Sequence, residues 1–290
     1  MHDHGAAMTD PLHTLIRELE QDHTLEQPER LRERVHALDR LEDLLLHVSD
    51  ARACDGPLRQ RAQALHARLS TVQQRLCEAI RQAIKQGAGS QVLHGWTTPG
   101  QSPVADGYDH LDALVSDVLA FEEPTDDIAS LDADMVFYQP TPARHVLDLI
   151  DRAAISDRDV LVDLGSGLGH VPLLVSICTG AHCIGIERET AYVEGARRSA
   201  ASLQLDQVRF MAQDAREADL SRGNLFYLYT PFTGGILRQV LDRLKQEASH
   251  REIRLATFGP CTDIVAAEPW LVPSCQPGSD RITVFKACNA

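Results

Sequence analysis

The stretch 160–170, Val-Leu-Val-Asp-Leu-Gly-Ser-Gly-Leu-Gly-His, constrains this chain more than any other. Val160, Leu161, Val162 and Leu164 form a short apolar run with one carboxylate, Asp163, near its end, the pattern of a parallel strand buried on both faces. Gly165, Gly167 and Gly169 then predict a tight turn, since residues without a Cβ reach positive φ and let backbone N–H groups approach a ligand. Helix is expected over 170–177, with Pro172 tolerated in the first turn, where its missing N–H would have no partner. Strand, glycine turn and helix together predict a small-molecule cradle.

Two cofactor classes use such a turn, and spacing separates them. A dinucleotide fingerprint, G-x-G-x-x-G, would want glycine at position 170, where this chain has His170. The pattern D-x-G-x-G-x-G, carried by Asp163, Gly165, Gly167 and Gly169, resembles the first motif of class I S-adenosylmethionine (AdoMet) dependent methyltransferases. The resemblance implies AdoMet as cofactor, held at Asp163 and along Gly165, Ser166, Gly167 and Gly169. The next elements supply the contacts AdoMet needs. A second strand is expected over 182–186, with Glu187 directly after it, where a carboxylate accepts hydrogen bonds from both ribose hydroxyls. After a third strand over 208–211, Asp214 lies where the family holds the adenine amino group, with Ala215 beside it. A fourth strand over 225–229 ends in Tyr229-Thr230-Pro231-Phe232, at the carboxyl edge where open α/β sheets bind ligands.

Composition bounds this reading. With 290 residues, 43% hydrophobic and 24% charged, the chain can form one large domain plus a smaller one. No run approaches the length of an apolar membrane helix, and the start MHDHGAAMTD has no signal-peptide character, so a cytoplasmic protein without membrane contact is expected. Seven cysteines with no C-x-x-C spacing argue against a disulfide framework and a structural zinc site; no metal is expected, and Cys178 and Cys183 read as core thiols. A net charge of −14 repels phosphate backbones and disfavours nucleic acid as substrate, Arg197 and Arg198 being only a weak basic cluster. His2, His4 and His13 read as part of a mobile terminus.

From residue 11 to about 85 the pattern is helical. Leu12, Leu15, Ile16 and Leu19, then Leu31, Val35, Leu38, Leu45 and Val48, mark apolar faces. Leu58, Ala62, Leu65, Leu69, Val72, Leu76 and Ile80 alternate steps of four and three, as in a coiled-coil seam, and the Asp-Gly-Pro turn within 50–57 predicts an antiparallel hairpin. A partner-binding or homodimerising role for these helices and packing on the chain's own catalytic domain explain the pattern equally well. Gly- and Pro-rich 86–103 reads as a linker or substrate-side loop, and 108–121 as an amphipathic helix through Leu111, Leu114, Val118 and Leu119. The division expected is a helical region 1–90, a linker with an amphipathic helix 91–135, and a methyltransferase domain 136–290.

Within that domain, Thr141 is a good N-cap and Pro142 a good first residue for a helix running to about 154. The segment before the first strand often folds over AdoMet in class I methyltransferases. Tyr138 and the Thr141 helix terminus are therefore expected to face its methionine end, where helix N–H groups favour a carboxylate. A capped helix with Tyr138 in the core fits as well. A helix on Ile236, Val240, Leu241 and Leu244 and strands over 253–258, 270–272 and 281–285 follow. Sequence alone gives an alternating α/β domain; the resemblance implies a seven-stranded, mostly parallel Rossmann-like sheet with its last strand inserted antiparallel, beside the all-α N-terminal region.

The acceptor is read from the fourth strand. Branches of the family that methylate amino groups end it in Asn/Asp-Pro-Pro-Tyr/Phe; here Pro231 and Phe232 match, whereas Tyr229 replaces the amide or acid, so that clamp does not transfer intact. The loop DLGSGLG is similar to that of disruptor-of-telomeric-silencing type histone lysine methyltransferases, which implies a protein nitrogen as acceptor. Transfer is expected in line, with Tyr229, Thr230 and Phe232 on the acceptor side and no general base required for a neutral amine. The alternatives are a small-molecule N- or O-methyltransferase, an enzyme of the same fold using NAD, against which His170 counts, and a non-catalytic AdoMet-binding protein acting through its helices.

Overall fold

The computed structural model describes residues 11–50, 56–96, 107–121, 136 and 138–288. His2 and His4, most of the expected turn within 50–57, the end of the expected linker and the loop expected over 122–135 lie outside the described residues. The chain forms two compact units, Met1–Ala79 and Ile80–Ala290.

The first unit holds α1 (Pro11–Gln21), two short 3-10 turns (His23–Glu26 and Pro28–Arg30), α2 (Leu31–Asp50) and most of α3 (Gly56–Lys85). Ile16, Ala37, Leu41, Leu58, Ala62, Leu65 and Leu69 form its core. The buried stripe differs from the expected one throughout α2 and, past Leu69, in part of α3. In α2 it runs Leu31, Arg34, Ala37, Leu41 and Leu44, with Val35 and Leu38 at its flank. Arg34 can be buried there because its guanidinium donates to the carbonyls of Leu25 (3.1 Å) and Gln27 (2.9 Å) and to Gln73 Oε1 (3.2 Å). In α3 the expected seam holds through Leu69, passes to Gln73 and Cys77 in place of Val72 and Leu76, and includes Ile80 as expected. A straight helix at 3.6 residues per turn drifts off a strict heptad in this direction.

The second unit continues with α4 (Gly89–His94), α5 (His110–Leu119), α6 (Ala143–Ala153), β1 (Val160–Leu164), α7 (His170–Thr179), β2 (His182–Glu187), α8 (Thr190–Ser202), β3 (Val208–Ala212), β4 (Leu225–Tyr229), α9 (Gly234–Ala248), β5 (Arg254–Phe258), α10 (Cys261–Ala266), β6 (Leu271–Pro273) and β7 (Thr283–Ala287). The seven strands lie in the order β3-β2-β1-β4-β5-β7-β6, parallel except for β7, which runs antiparallel to β5 and β6. This is the sheet the family resemblance implies. Its register sets Asp163 beside Gly185 of β2 and Tyr227 of β4. Strand order reverses between β1 and β4, so their carboxyl ends open a crevice. Beneath it Phe226, Leu228, Val240, Leu241, Leu244 and Phe285 pack one face of the sheet against α9. Each such side chain contributes roughly 1.5–3 kcal/mol by leaving water.

Two expectations change in this part of the unit. The stretch 86–103 contains α4, where a Cβ on Gly89 would stand 2.6 Å from Ile177 Cγ2, so that glycine permits close packing rather than flexibility. The last strand begins two residues later than expected, and α8 carries no signal singled out in the sequence. Among the described residues no helix is long and apolar enough to cross a membrane, and no group of His, Cys, Asp or Glu could hold a metal. Cys178 and Cys183 are buried, and burial pushes the Cys178 thiol up to about 12.

Candidate active site

The crevice is a cavity of about 1040 Å³, at the upper end of small-ligand sites. Of the expected residues, Tyr138, Thr141, Asp163, Gly165, Ser166, Glu187, Asp214, Ala215, Tyr229, Thr230 and Phe232 line it, whereas Gly167 and Gly169 do not.

The glycine loop is built for close approach of side chains as much as of ligand. Gly165, Gly167 and Gly169 have φ of +85°, +50° and +86°. A Cβ on Gly165 would fall 2.2 Å from Pro231 Cβ, one on Gly167 1.9 Å from Tyr138 Cε2, and one on Gly169 2.5 Å from the Phe210 ring. The loop N–H groups turn toward β2: Gly165 and Ser166 donate to the Ile186 carbonyl (2.8 and 3.0 Å) and Gly167 donates to Glu187 Oε2 (2.9 Å). This differs from the expectation that they point at a ligand. Glu187, the last residue of β2, also accepts from the Glu189 N–H at 2.8 Å, so both oxygens are oriented by backbone and each keeps a lone pair.

Tyr138 lies across the loop. Its hydroxyl meets His170 Nδ1 at 3.0 Å, and its ring tilts against Tyr192 with centroids 5.0 Å apart. Burial raises the Tyr138 pKa and lowers that of His170 to about 4, so His170 is neutral at physiological pH and is not poised as a base. Thr141 does not cap α6. Pro142 holds the cap position, the Thr141 hydroxyl turns into the sheet to meet the Tyr227 hydroxyl at 3.0 Å, and the Ala143 N–H donates to Asp112 Oδ1 at 2.7 Å. A carboxylate of the chain itself thus stands where the helix terminus was expected to take that of AdoMet.

Asp163 is fully buried, and desolvation, followed by the nearby Glu187 charge, pushes its carboxyl well above the usual range. Asp214 lies after β3 with its carboxylate gripped by Arg216: Oδ1 accepts from the main-chain N–H (2.8 Å) and Nε (3.0 Å), Oδ2 from the outer guanidinium nitrogen (2.7 Å). That pairing, then burial opposing it, leaves its pKa below the usual value.

At the β4 end, Tyr229 packs on Phe258 (centroids 4.7 Å), which packs on His145 (4.2 Å). Thr230 holds a left-handed φ of +39°, a strained state for a β-branched residue. Its Oγ1 donates to the Phe258 carbonyl (3.2 Å) and accepts from the Cys261 N–H (3.1 Å). Tyr192, Tyr227 and Pro260, none of them marked by a motif, also line the cavity. Tyr227 was legible, since it shares a face of β4 with Tyr229 at period two; Tyr192 and Pro260 reach the site only through packing.

Two features test whether AdoMet fits. Ser166 Oγ is buried at the cavity wall without a hydrogen-bond partner among the described residues. Asp163 is a buried acid that a cation would stabilise in its charged form. Both suit a ligand with polar groups and positive charge.

A seven-stranded sheet in this order, with the glycine loop after β1 and an acid at the end of β2, defines the class I AdoMet-dependent methyltransferase architecture. Residues 135–226 match the family model "Histone methylation protein DOT1", a stretch that spans the glycine loop, Glu187 and Asp214 and covers less than half of the chain. The chain is accordingly an AdoMet-dependent methyltransferase. Among solved structures, an RNA methyltransferase from Salinibacter ruber in complex with S-adenosyl-L-homocysteine is 25% identical, with 51% of this chain and 92% of that one covered at a TM-score of 0.41. The putative methyltransferase yhhF from Escherichia coli is 15% identical, covering 56% and 92% at 0.43. A precorrin-6y C5,15-methyltransferase from Geobacter metallireducens is 16% identical, covering 58% and 96% at 0.41. No curated protein sequence matches the chain significantly.

Proposed function

We propose that the chain methylates a protein side-chain nitrogen, a lysine amine above all. The DOT1 match over 135–226 carries this reading. The cavity supports it: outside the residues assigned to AdoMet it is lined by the acid Glu189 and by the aromatic rings of Tyr192, Tyr229 and Phe232. Acidic and aromatic walls favour a cationic or newly alkylated amine.

AdoMet, when bound, supplies the activated methyl group. In this reading Asp163 and Ser166 hold the methionine end, Glu187 the ribose hydroxyls, and Asp214 with the Ala215 N–H the adenine edge. Gly165, Gly167 and Gly169 allow the loop, Tyr138 and Pro231 to meet without a gap. Tyr229 and Phe232 face the acceptor and exclude water, while Thr230 holds the turn that presents them. The acceptor loses its proton before transfer, since only the neutral amine has the lone pair that attacks the methyl group. In this reading the chemistry falls to 136–290.

The test supplies methyl-labelled AdoMet with core histones and, separately, with the protein, nucleic-acid and small-molecule fractions of a cell extract. Label in protein, found as methyl-lysine by mass spectrometry, is the expected result. Label confined to nucleic acid or small molecules rejects the acceptor class. Phe232→Ala should retain S-adenosylhomocysteine affinity and lose at least roughly tenfold in turnover; unchanged turnover removes Phe232 from the site.

A further inference from the structure

The segment after β3 that carries Asp214 and Ala215 belongs to no helix or strand, yet its main chain is gripped from the other side. Arg243, on the buried flank of α9 and seven residues beyond Ile236 at the cavity wall, donates from one guanidinium nitrogen to the carbonyls of Ala215 (3.2 Å) and Arg216 (2.7 Å), and from another to that of Ala218 (2.5 Å). The first two carbonyls belong to consecutive peptide planes, and the N–H on the far side of each plane points at Asp214. The Arg216 N–H donates to Asp214 Oδ1 at 2.8 Å, and the Glu217 N–H donates to the Asp214 carbonyl at 3.0 Å. A peptide plane is rigid, so fixing its carbonyl fixes the direction of its N–H. One charged, planar fork therefore sets the main-chain hydrogen bond to the Asp214 carboxylate, beside the grip of the Arg216 guanidinium, and the one that closes the turn at Ala215.

We propose that Arg243 is a positioning residue for purine selectivity: by holding the planes behind Asp214 it fixes an acceptor beside the Ala215 donor, a pair that matches the 6-amino group and N1 of adenine and opposes a 6-oxo purine. This rests on the assignment of Asp214 and Ala215 to the adenine edge. A 6-oxo purine presents an acceptor to the carboxylate and a donor at N1 to the Ala215 N–H, so both contacts become repulsive. With Arg243 removed, the planes rotate, the carboxylate is left to the mobile Arg216 side chain on the same turn, and the distinction weakens.

Titration calorimetry of the full chain with S-adenosylhomocysteine and with S-inosylhomocysteine, its 6-oxo analogue, tests this. The wild type should prefer the adenine ligand by about tenfold or more. Arg243→Met, which keeps the aliphatic stem, should lower S-adenosylhomocysteine affinity about tenfold and bring the ratio of the two affinities toward one, with a cooperative melt retained. Arg243→Lys, which keeps the charge and offers one nitrogen, should show an intermediate ratio and faster hydrogen exchange at the Arg216 and Glu217 amides, and it provides the same readout if the Met variant fails to fold. A wild-type ratio in the folded Arg243 variant, alongside a lost preference in Asp214→Asn, overturns the role of Arg243 and leaves the adenine assignment standing. No preference in the wild type, or a wild-type ratio in Asp214→Asn, overturns both.

Discussion

The turns after β1 and after β4 leave adjacent parallel strands at the same edge of the sheet, and both use left-handed backbone. The first uses glycines at +85°, +50° and +86°; the second places a threonine at +39°. The difference follows from what each turn must touch. After β1, Pro231, Tyr138 and Phe210 come so near the backbone that a Cβ would overlap them, so only glycine fits. After β4 there is room for a side chain, and the Thr230 hydroxyl bridges the Phe258 carbonyl and the Cys261 N–H, tying the β4 end to the β5 end. Strain at such a residue costs on the order of 1–3 kcal/mol and persists where surrounding bonds over-determine it. One turn is shaped by absent atoms, the other by a hydroxyl that offsets an unfavourable backbone.

Substitutions separate the two. The largest effect is expected at Gly167, where Ala would collide with the Tyr138 ring, itself tied to His170, and Trp would fill the loop; S-adenosylhomocysteine affinity should fall roughly hundredfold for Gly167→Trp. Undiminished affinity by calorimetry would break the account of the first turn. Next, Thr230→Val keeps shape and strain but loses both hydrogen bonds, and should cost about 2 kcal/mol in chemical denaturation with little change in S-adenosylhomocysteine affinity. Thr230→Ser should restore that stability, and Thr230→Gly should fall between, since it relieves φ and still lacks the hydroxyl. Equal stability of the Val and Ser variants would show that the hydroxyl does not hold the turn.

A smaller effect is expected at Asp163. Its folded pKa is raised by burial, so the stability it contributes is fully present below the ordinary carboxylate range and is lost as pH rises through the raised folded value. Asp163→Asn should therefore flatten the fall in stability that sets in as pH rises above the ordinary carboxylate range, and should weaken AdoMet binding. The same slope in both proteins would place the titration elsewhere. The smallest effect is expected at Asp112: Asp112→Ala removes the acceptor of the Ala143 N–H and that of the Asp109 N–H at the start of α5, and should cost about 1 kcal/mol, measured as a lower melting temperature.

Much of the site was legible because strand-end chemistry is local. Asp163, Glu187 and Asp214 occur at fixed offsets from apolar runs, and each lines the cavity. Thr141 misled for the same reason: as a residue before Pro142 it reads as a cap, and only the Tyr227 hydroxyl above the sheet draws it away. In α3 the apolar letters Val72 and Leu76 outweighed Gln73 and Cys77, though helix geometry puts the latter inside. Gly167 and Gly169 were legible as glycines, but the reason for them, Tyr138 and Phe210, was not.

The amino-acid sequence by itself determined the strand, glycine turn and helix, the order of strands and acids, and the change from helical to α/β pattern near the middle of the chain, because these depend on residue types a few positions apart. Only the tertiary structure decided that Asp112 caps α6 from 31 residues away, that Thr141 meets Tyr227 across 86, and that Arg243 holds the Asp214 turn across 28. Such partners are chosen by which surfaces the packed sheet and helices bring within hydrogen-bond reach, and a buried donor or acceptor then takes the partner that packing supplies.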